Sequence, residues 1–261
     1  MVCTRCKAAG HNKRTCTSTS ATLPRPGAGC SVSGHNYEKK IAAVCRQIRS
    51  PHSAIPLNTQ AEESLGGSTA GIDIVLNWKS EGDIGVEAKR PTPDWMQMCL
   101  ERKDDRWIGK AEHSKIPSAC REQLNELLMH TTLFQGKLPP FMEKTMTHAE
   151  WVAIKTADPD LKDHYIHNIP NTTIAELYRK KGCSYLQVDG KGLYHTGEDT
   201  CDFQVPLFDC PQQLRIRIKI HKTNPFHASV TVAAQPVNLA ALAPSPFSLE
   251  SLERLPASLG E

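Results

Sequence analysis

No stretch of this chain approaches the roughly 18 consecutive apolar residues of a membrane-crossing helix. Its opening, Met-Val-Cys-Thr-Arg-Cys, lacks the apolar core of a secretion signal. The expectation is an intracellular protein of nucleus or cytoplasm, not secreted and with no membrane partner. A strong charge of either sign is also missing, since 31 Lys and Arg stand against 28 Asp and Glu, a formal net charge of +3. Binding to nucleic acid must therefore rest on local basic patches and not on a global field. The ten cysteines follow no disulfide-like spacing, so reduced thiols are expected, three of them as metal ligands. What is present, 39% hydrophobic residues in 261, suffices for one sizeable domain with small appendages.

The organising stretch runs from Gly71 to Lys89. Ile72, Ile74 and Leu76 alternate with Asp73, Val75 and Asn77, which predicts a strand with Asp73 turned away from the apolar face. Lys79 to Gly82 is polar and reads as a hairpin turn. In the second strand Ile84, Val86 and Ala88 share one face, leaving Gly85, Glu87 and Lys89 on the other. Two carboxylates and an ammonium then converge. Carboxylates suit a hydrated Mg²⁺ that takes its remaining ligands from phosphate, and such a metal acidifies a bound water. A lysine beside them can orient that water or stabilise charge on the phosphate.

Asp73 followed by Glu87-Ala88-Lys89 resembles the Asp…Glu-x-Lys signature of the PD-(D/E)xK nucleases, with Ile72 where many members carry Pro. The resemblance implies an α/β, restriction-endonuclease-like fold, a mixed sheet flanked by helices with the motif on adjacent strands. It also implies Asp73 and Glu87 as ligands of a catalytic Mg²⁺, for which Mn²⁺ can substitute, and Lys89 as the group assisting phosphodiester hydrolysis. In many members the first helix adds a glutamate. Tyr37, Ile41, Val44 and Ile48 fall at helical spacing behind the N-cap residue Asn36, predicting a helix over 37–49. Glu38 on it is either a third metal ligand or a surface acid favoured by the helix dipole, with Glu62 and Glu63 in reserve. Members often carry a Gln-bearing helix after the Glu-x-Lys strand. Pro93-Asp94 marks a helix start, making Gln97 the catalytic candidate and Gln123, in a helix of about 118–129, its rival.

Residues 1–16 hold Cys3, Cys6, His11 and Cys16 in the spacing C-x2-C-x4-H-x4-C. Three thiolates and an imidazole close a tetrahedral shell around structural Zn²⁺. The pattern resembles a CCHC zinc knuckle. Arg5, Lys7, Lys13 and Arg14 surround the ligands with no acidic residue among them, suiting a phosphate backbone. No aromatic lies inside the knuckle, so backbone contact is a better expectation than base stacking; a protein-interaction module is the other reading.

Residues 17–34 read as a flexible Ser-, Thr-, Pro- and Gly-rich linker, 35–234 as the nuclease-like domain and 235–261 as a disordered tail. Residues 151–156 read as a strand. Leu214, Ile216, Ile218 and Ile220 alternate with Arg215, Arg217 and Lys219, a strand whose cationic face either meets phosphates or only discourages edge pairing. The function expected is metal-dependent cleavage of nucleic acid, DNA ahead of RNA, with a homodimer left open. The alternatives are a non-catalytic nucleic-acid-binding protein with a degenerate nuclease fold, and an RNA-cleaving nuclease. Removing the knuckle and its tether is expected to weaken nucleic-acid binding in a filter-binding assay while cleavage at saturating substrate stays nearly unchanged, because a closed zinc shell performs no chemistry.

Overall fold

Alternating apolar residues build the hairpin on which the site depends. Strand β1 (Ile74–Trp78) pairs antiparallel with β2 (Gly82–Lys89), in a register running from Ile74 opposite Val86 to Trp78 opposite Gly82. The computed structural model describes residues 28–48, 71–78, 82–91, 94–111, 116–223 and 225–260. The four zinc-ligand candidates, Arg5, Lys7, Lys13, Arg14, Glu62 and Glu63 lie outside the described residues.

The fold is mixed α/β with two sheets and, among the described residues, five α-helices. Helix α1 is Ala28–Cys45, α2 is Ser118–Leu128, α3 is His148–Ala157, α4 is Thr173–Lys181 and α5 is Ala257–Gly260. The remaining strands are β3 (Trp95–Lys103), β4 (Arg106–Gly109), β5 (His164–Ile166), β6 (Cys183–Val188), β7 (Gly192–His195), β8 (Gln212–Thr223) and β9 (Phe226–Pro236). The first sheet has the order β1-β2-β6-β7 and the second β4-β3-β9-β8-β5. No described helix is long and apolar enough to cross a membrane.

Among the described residues only one strand pair, β2 with β6, is parallel. Parallel neighbours need a crossover that brings the chain back to the starting end, and α4 is the helix that feeds β6. Its Ile174, Ala175, Leu177 and Tyr178 are buried, and it stops at Gly182, whose φ of 95° is a left-handed cap natural to glycine. The first sheet thus separates two cores. Ile74, Leu76, Ile84, Val86, Ala88 and Tyr185 pack with Tyr37, Ile41 and Cys45 of α1, whereas Leu186, Val188 and Tyr194 join α4 and the second sheet in the larger core.

Several expectations need correction. Residues 95–100 form the start of strand β3 and not a helix, because Trp95, Met98 and Leu100 are buried while Gln97 and Cys99 are half-exposed, a period close to two. A bulge beside Met96, at φ 40°, makes the first residues irregular and hides that period in the sequence. Residues 151–156 lie in α3, not in a strand. Thr147 caps it by accepting from the Glu150 N–H while Glu150 returns a bond to the Thr147 N–H, a Thr-x-x-Glu capping box. Helix α1 begins at Ala28, so residues 28–34 are helical and not part of a linker, while the rest of the expected linker lies outside the described residues. Residues 235–260 are no disordered tail: Leu242, Ser245, Ser248, Leu249 and Leu259 are buried. The segment is fastened to the first sheet by Leu193 N–H donating to Phe247 O and Leu249 N–H donating to Gln187 Oε1.

The close approach of β2 to the turn after α4 admits no side chain. A Cβ on Gly85 would stand 2.3 Å from Gly182 O and 3.2 Å from Cys183 Cα. Gly85→Ala is therefore expected to destabilise the protein by about 1–3 kcal/mol in urea unfolding. Gly34→Ala, in α1 with nothing within 4 Å of the added carbon, is expected to stabilise it by about 0.5–1 kcal/mol.

Candidate active site

The hairpin register that puts Ile74 opposite Val86 puts Asp73, one residue earlier, beside Glu87. The ladder continues through a side chain at this point, where Ala88 N–H donates to Asp73 Oδ2 at 3.0 Å. Lys89 then reaches both acids. Its Nζ is 2.6 Å from Glu87 Oε1 and 3.9 Å from Asp73 Oδ2. The three residues singled out in the sequence are thus brought to one point, on the same side of the sheet.

Two further groups complete the cluster. Glu87 is only 2% exposed, and its second oxygen, Oε2, receives Lys181 Nζ at 2.7 Å. Lys181 is the last residue of α4, and its side chain is 6% exposed. Tyr178, one turn earlier, lies under both ammonium groups, 5.3 Å from Lys89 Nζ and 5.8 Å from Lys181 Nζ to its ring centroid. The Tyr178 hydroxyl accepts from Met96 N–H at 3.3 Å, which ties the cluster to the bulge of β3. Cys183 Sγ, at 3.6 Å, also faces Glu87 Oε2.

Lys181 was not foreseen, because Arg179-Lys180-Lys181 before a glycine reads as surface charge complementing a helix dipole. The signal was nevertheless there. Lys181 follows Ile174 by seven residues and Tyr178 by three, so it lies in line with the buried stripe.

Electrostatics separates the two acids. Burial and the neighbouring Glu87 charge push Asp73 up to about 7, with Lys89 and Lys181 opposing. Burial would raise Glu87 as well, but the two lysines outweigh it and hold Glu87 below the ordinary carboxylate range. Burial would lower Lys89, yet Glu87 keeps it well above the usual lysine value. One acid is firmly ionised and the other gains or loses its proton near neutrality.

The remaining candidates lie on other elements. Glu38 lies on α1, whose buried face packs on Val86 and Ala88, the side of β2 opposite Glu87. Its nearest ionic neighbour is His35 at 3.5 Å, and its charge is the smallest of the five influences on Asp73. Gln97 is half-buried on β3, and among the described residues no hydrogen bond joins it to Asp73, Glu87, Lys89 or Lys181. Gln123 is buried and donates to Glu176 at 2.8 Å, a packing role. The cationic stripe on β8 is largely neutralised. Arg215 donates to Asp163 at 2.9 Å and to Asp94 at 3.4 Å, while Arg217 lies 2.5 Å from Asp94. Lys219 forms no ion pair among the described residues.

Among the described residues no three His, Cys, Asp or Glu side chains gather as a metal cage. A cation at Asp73 and Glu87 would take two protein carboxylates and complete its shell with water or phosphate, the habit of Mg²⁺. A cavity of about 400 Å³ lined by Arg102, Arg106, Trp107, His130 and Leu133 shares no residue with this cluster.

No family model, characterised protein or solved structure matches this chain. The likeness to PD-(D/E)xK nucleases therefore rests on the Asp73, Glu87 and Lys89 motif and its placement.

The raised pKa of Asp73 has a stability consequence of definite sign. The folded protein binds this proton more tightly than the unfolded chain, so stability from this residue is full below the ordinary value of 3.8 and is lost as pH rises toward about 7. Asp73→Asn, which imitates the protonated form, is expected to gain in melting temperature relative to wild type as pH goes from 4 to 8. A difference independent of pH would contradict the shift.

Proposed function

We propose that this protein is a divalent-cation-dependent nuclease that hydrolyses phosphodiester bonds, in DNA ahead of RNA. The observation that carries the reading is that Asp73, just before β1, stands beside Glu87 of β2 with the Lys89 ammonium 3.9 and 2.6 Å from their oxygens. The donor set fits a hard dication: the buried carboxylate of Glu87 and the half-buried one of Asp73, raised to about 7 by burial and by its neighbour, form a pair whose shared negative charge a dication would satisfy. When bound, Mg²⁺, or Mn²⁺ in its place, would supply charge stabilisation on the phosphate and an acidified water.

The chain's own groups have distinct tasks in this reading. Asp73 and Glu87 hold the cation. Lys181 keeps Glu87 oriented from the helix side, and Lys89 donates toward the water or the phosphate oxygens where negative charge grows. Glu38 keeps its place as the candidate third ligand: it pairs with His35 at 3.5 Å, and its charge is one of those that raise Asp73. The zinc knuckle of Cys3, Cys6, His11 and Cys16 would hold nucleic acid near this domain through Arg5, Lys7, Lys13 and Arg14. Arg215 and Arg217 contribute less than their sequence pattern promises, because Asp94 and Asp163 already hold them.

A second reading has one observation in its favour. Both oxygens of Glu87 are already paired with lysines, as in a buried structural ion pair of a domain that binds nucleic acid without cutting it.

One experiment separates the two: purified protein with labelled single-stranded, double-stranded and branched DNA and with RNA, each in Mg²⁺ and in EDTA. The nuclease reading expects cleavage that needs the metal, is abolished in Asp73→Asn and Glu87→Gln, and falls by a factor of roughly 10² to 10³ in Lys89→Ala under single turnover, as on removing one electrostatic stabiliser. Binding without metal-dependent cleavage would establish the second reading.

A further inference from the structure

The nuclease reading leaves one arrangement unexplained. The point that both carboxylates address is occupied by a side chain of the protein itself. Lys89 Nζ lies 2.6 Å from Glu87 Oε1 and 3.9 Å from Asp73 Oδ2, so a cation seated between the two acids and the Lys89 ammonium compete for the same oxygens. Lys181 is placed differently. It touches only the far oxygen of Glu87, Oε2, at 2.7 Å, and comes from another element, the end of α4.

The two lysines also differ in freedom. The Lys89 side chain is 22% exposed, while that of Lys181 is 6% exposed. Lys89 springs from the last residue of β2, where the chain leaves the sheet, whereas Lys181 is fixed between the left-handed turn at Gly182 and the ring of Tyr178. Of the two, Lys89 has somewhere to go.

Resting on the nuclease reading, we propose that Lys89 is a built-in placeholder for the divalent cation, and that Lys181 is a positioning residue which anchors Glu87 when Lys89 gives way. In the metal-free protein Lys89 satisfies the two acids. A dication displaces it, and the released ammonium, still tethered at the edge of the site, is delivered to the phosphate that accompanies the metal. Metal binding and the arming of Lys89 are then one event. Lys181 stays on Oε2 throughout, so that Oε1 and Asp73 remain aimed at the cation.

The arrangement predicts an effect opposite to the usual loss on mutating a site residue. Removing the placeholder improves metal binding, because the open form no longer has to be populated against the Lys89 contacts. The test uses the full, zinc-loaded chain and Mn²⁺ alone, followed by electron paramagnetic resonance without nucleic acid. Asp73→Asn combined with Glu87→Gln gives the baseline. Lys89→Met is expected to bind Mn²⁺ about tenfold or more tightly than wild type, while remaining inactive on DNA. Lys181→Met is expected to show no such gain, although it removes the same charge from the same carboxylate. Lys89→Gln serves as a second variant, and thermal melts verify that each protein is folded.

If Lys89→Met binds Mn²⁺ no better than wild type, or if Lys181→Met gains as much, the placeholder is overturned, while the nuclease reading stands so long as wild-type binding depends on Asp73 and Glu87. If wild type and Lys89→Met both match the double-variant baseline, no metal site exists at these acids, and both proposals fall.

Discussion

Glu87 is a carboxylate with almost no access to water, and the fold around it is arranged to supply positive charge. One lysine comes from its own strand and one from the end of α4. For Lys181 to arrive there, the helix must stop where β6 begins beside β2, and the left-handed turn at Gly182 accomplishes that. For the turn to come close enough, the facing residue of β2 must lack a side chain, and it is Gly85. The parallel pairing, the glycine turn, the bare backbone and the ion pair are one geometric condition seen from four sides.

A buried ion pair is weak evidence for stability, since well-packed apolar groups of similar volume often serve as well or better. Glu87 and its two lysines alone would suit a structural bridge. Asp73 does not belong in such a bridge. It adds a second, half-buried carboxylate beside the first, raises its own pKa to about 7 in doing so, and has its nearest ammonium already closer to Glu87. The one backbone bond Asp73 makes among the described residues, accepting from Ala88 N–H, needs an oxygen acceptor but not a second negative charge. Mutually repelling acids in a buried cluster are what cation-binding and proton-handling sites require.

Much of this was legible in the sequence because it is local. Period-two alternation marked β1 and β2 and put Asp73, Glu87 and Lys89 on one side. What failed was decided at a distance. Arg215 and Arg217 look like a free cationic face, but Asp163 lies 52 residues from Arg215 and Asp94 lies 121 residues from it, and only the folded sheet brings them together. The last 25 or so residues have no period because they pack as irregular chain. Ser248 and Leu249 are wholly buried through bonds to Gln187, which no pattern of apolar residues announces. The Thr-x-x-Glu box of α3 was visible and was outweighed by the β-branched look of Trp151 to Thr156. Lys181 was readable too, as a charge in line with a buried stripe.

Tyr178 shows why the cluster can be both closed and capable of change. Its hydroxyl accepts from Met96 N–H in the second sheet, and its ring supports both ammonium groups. The ring is fixed by contacts that do not involve Lys89, since Tyr178 is 1% exposed and buried within the larger core. A movement of Lys89 therefore leaves Glu87, Lys181 and Tyr178 where they are, so the cost of opening is confined to the contacts of one ammonium with two acids and a ring. On the proposed reading, a site whose rigid part is anchored by a helix, a turn and a second sheet, and whose moving part is a single side chain at a strand end, would exchange one cation for another without refolding anything around it.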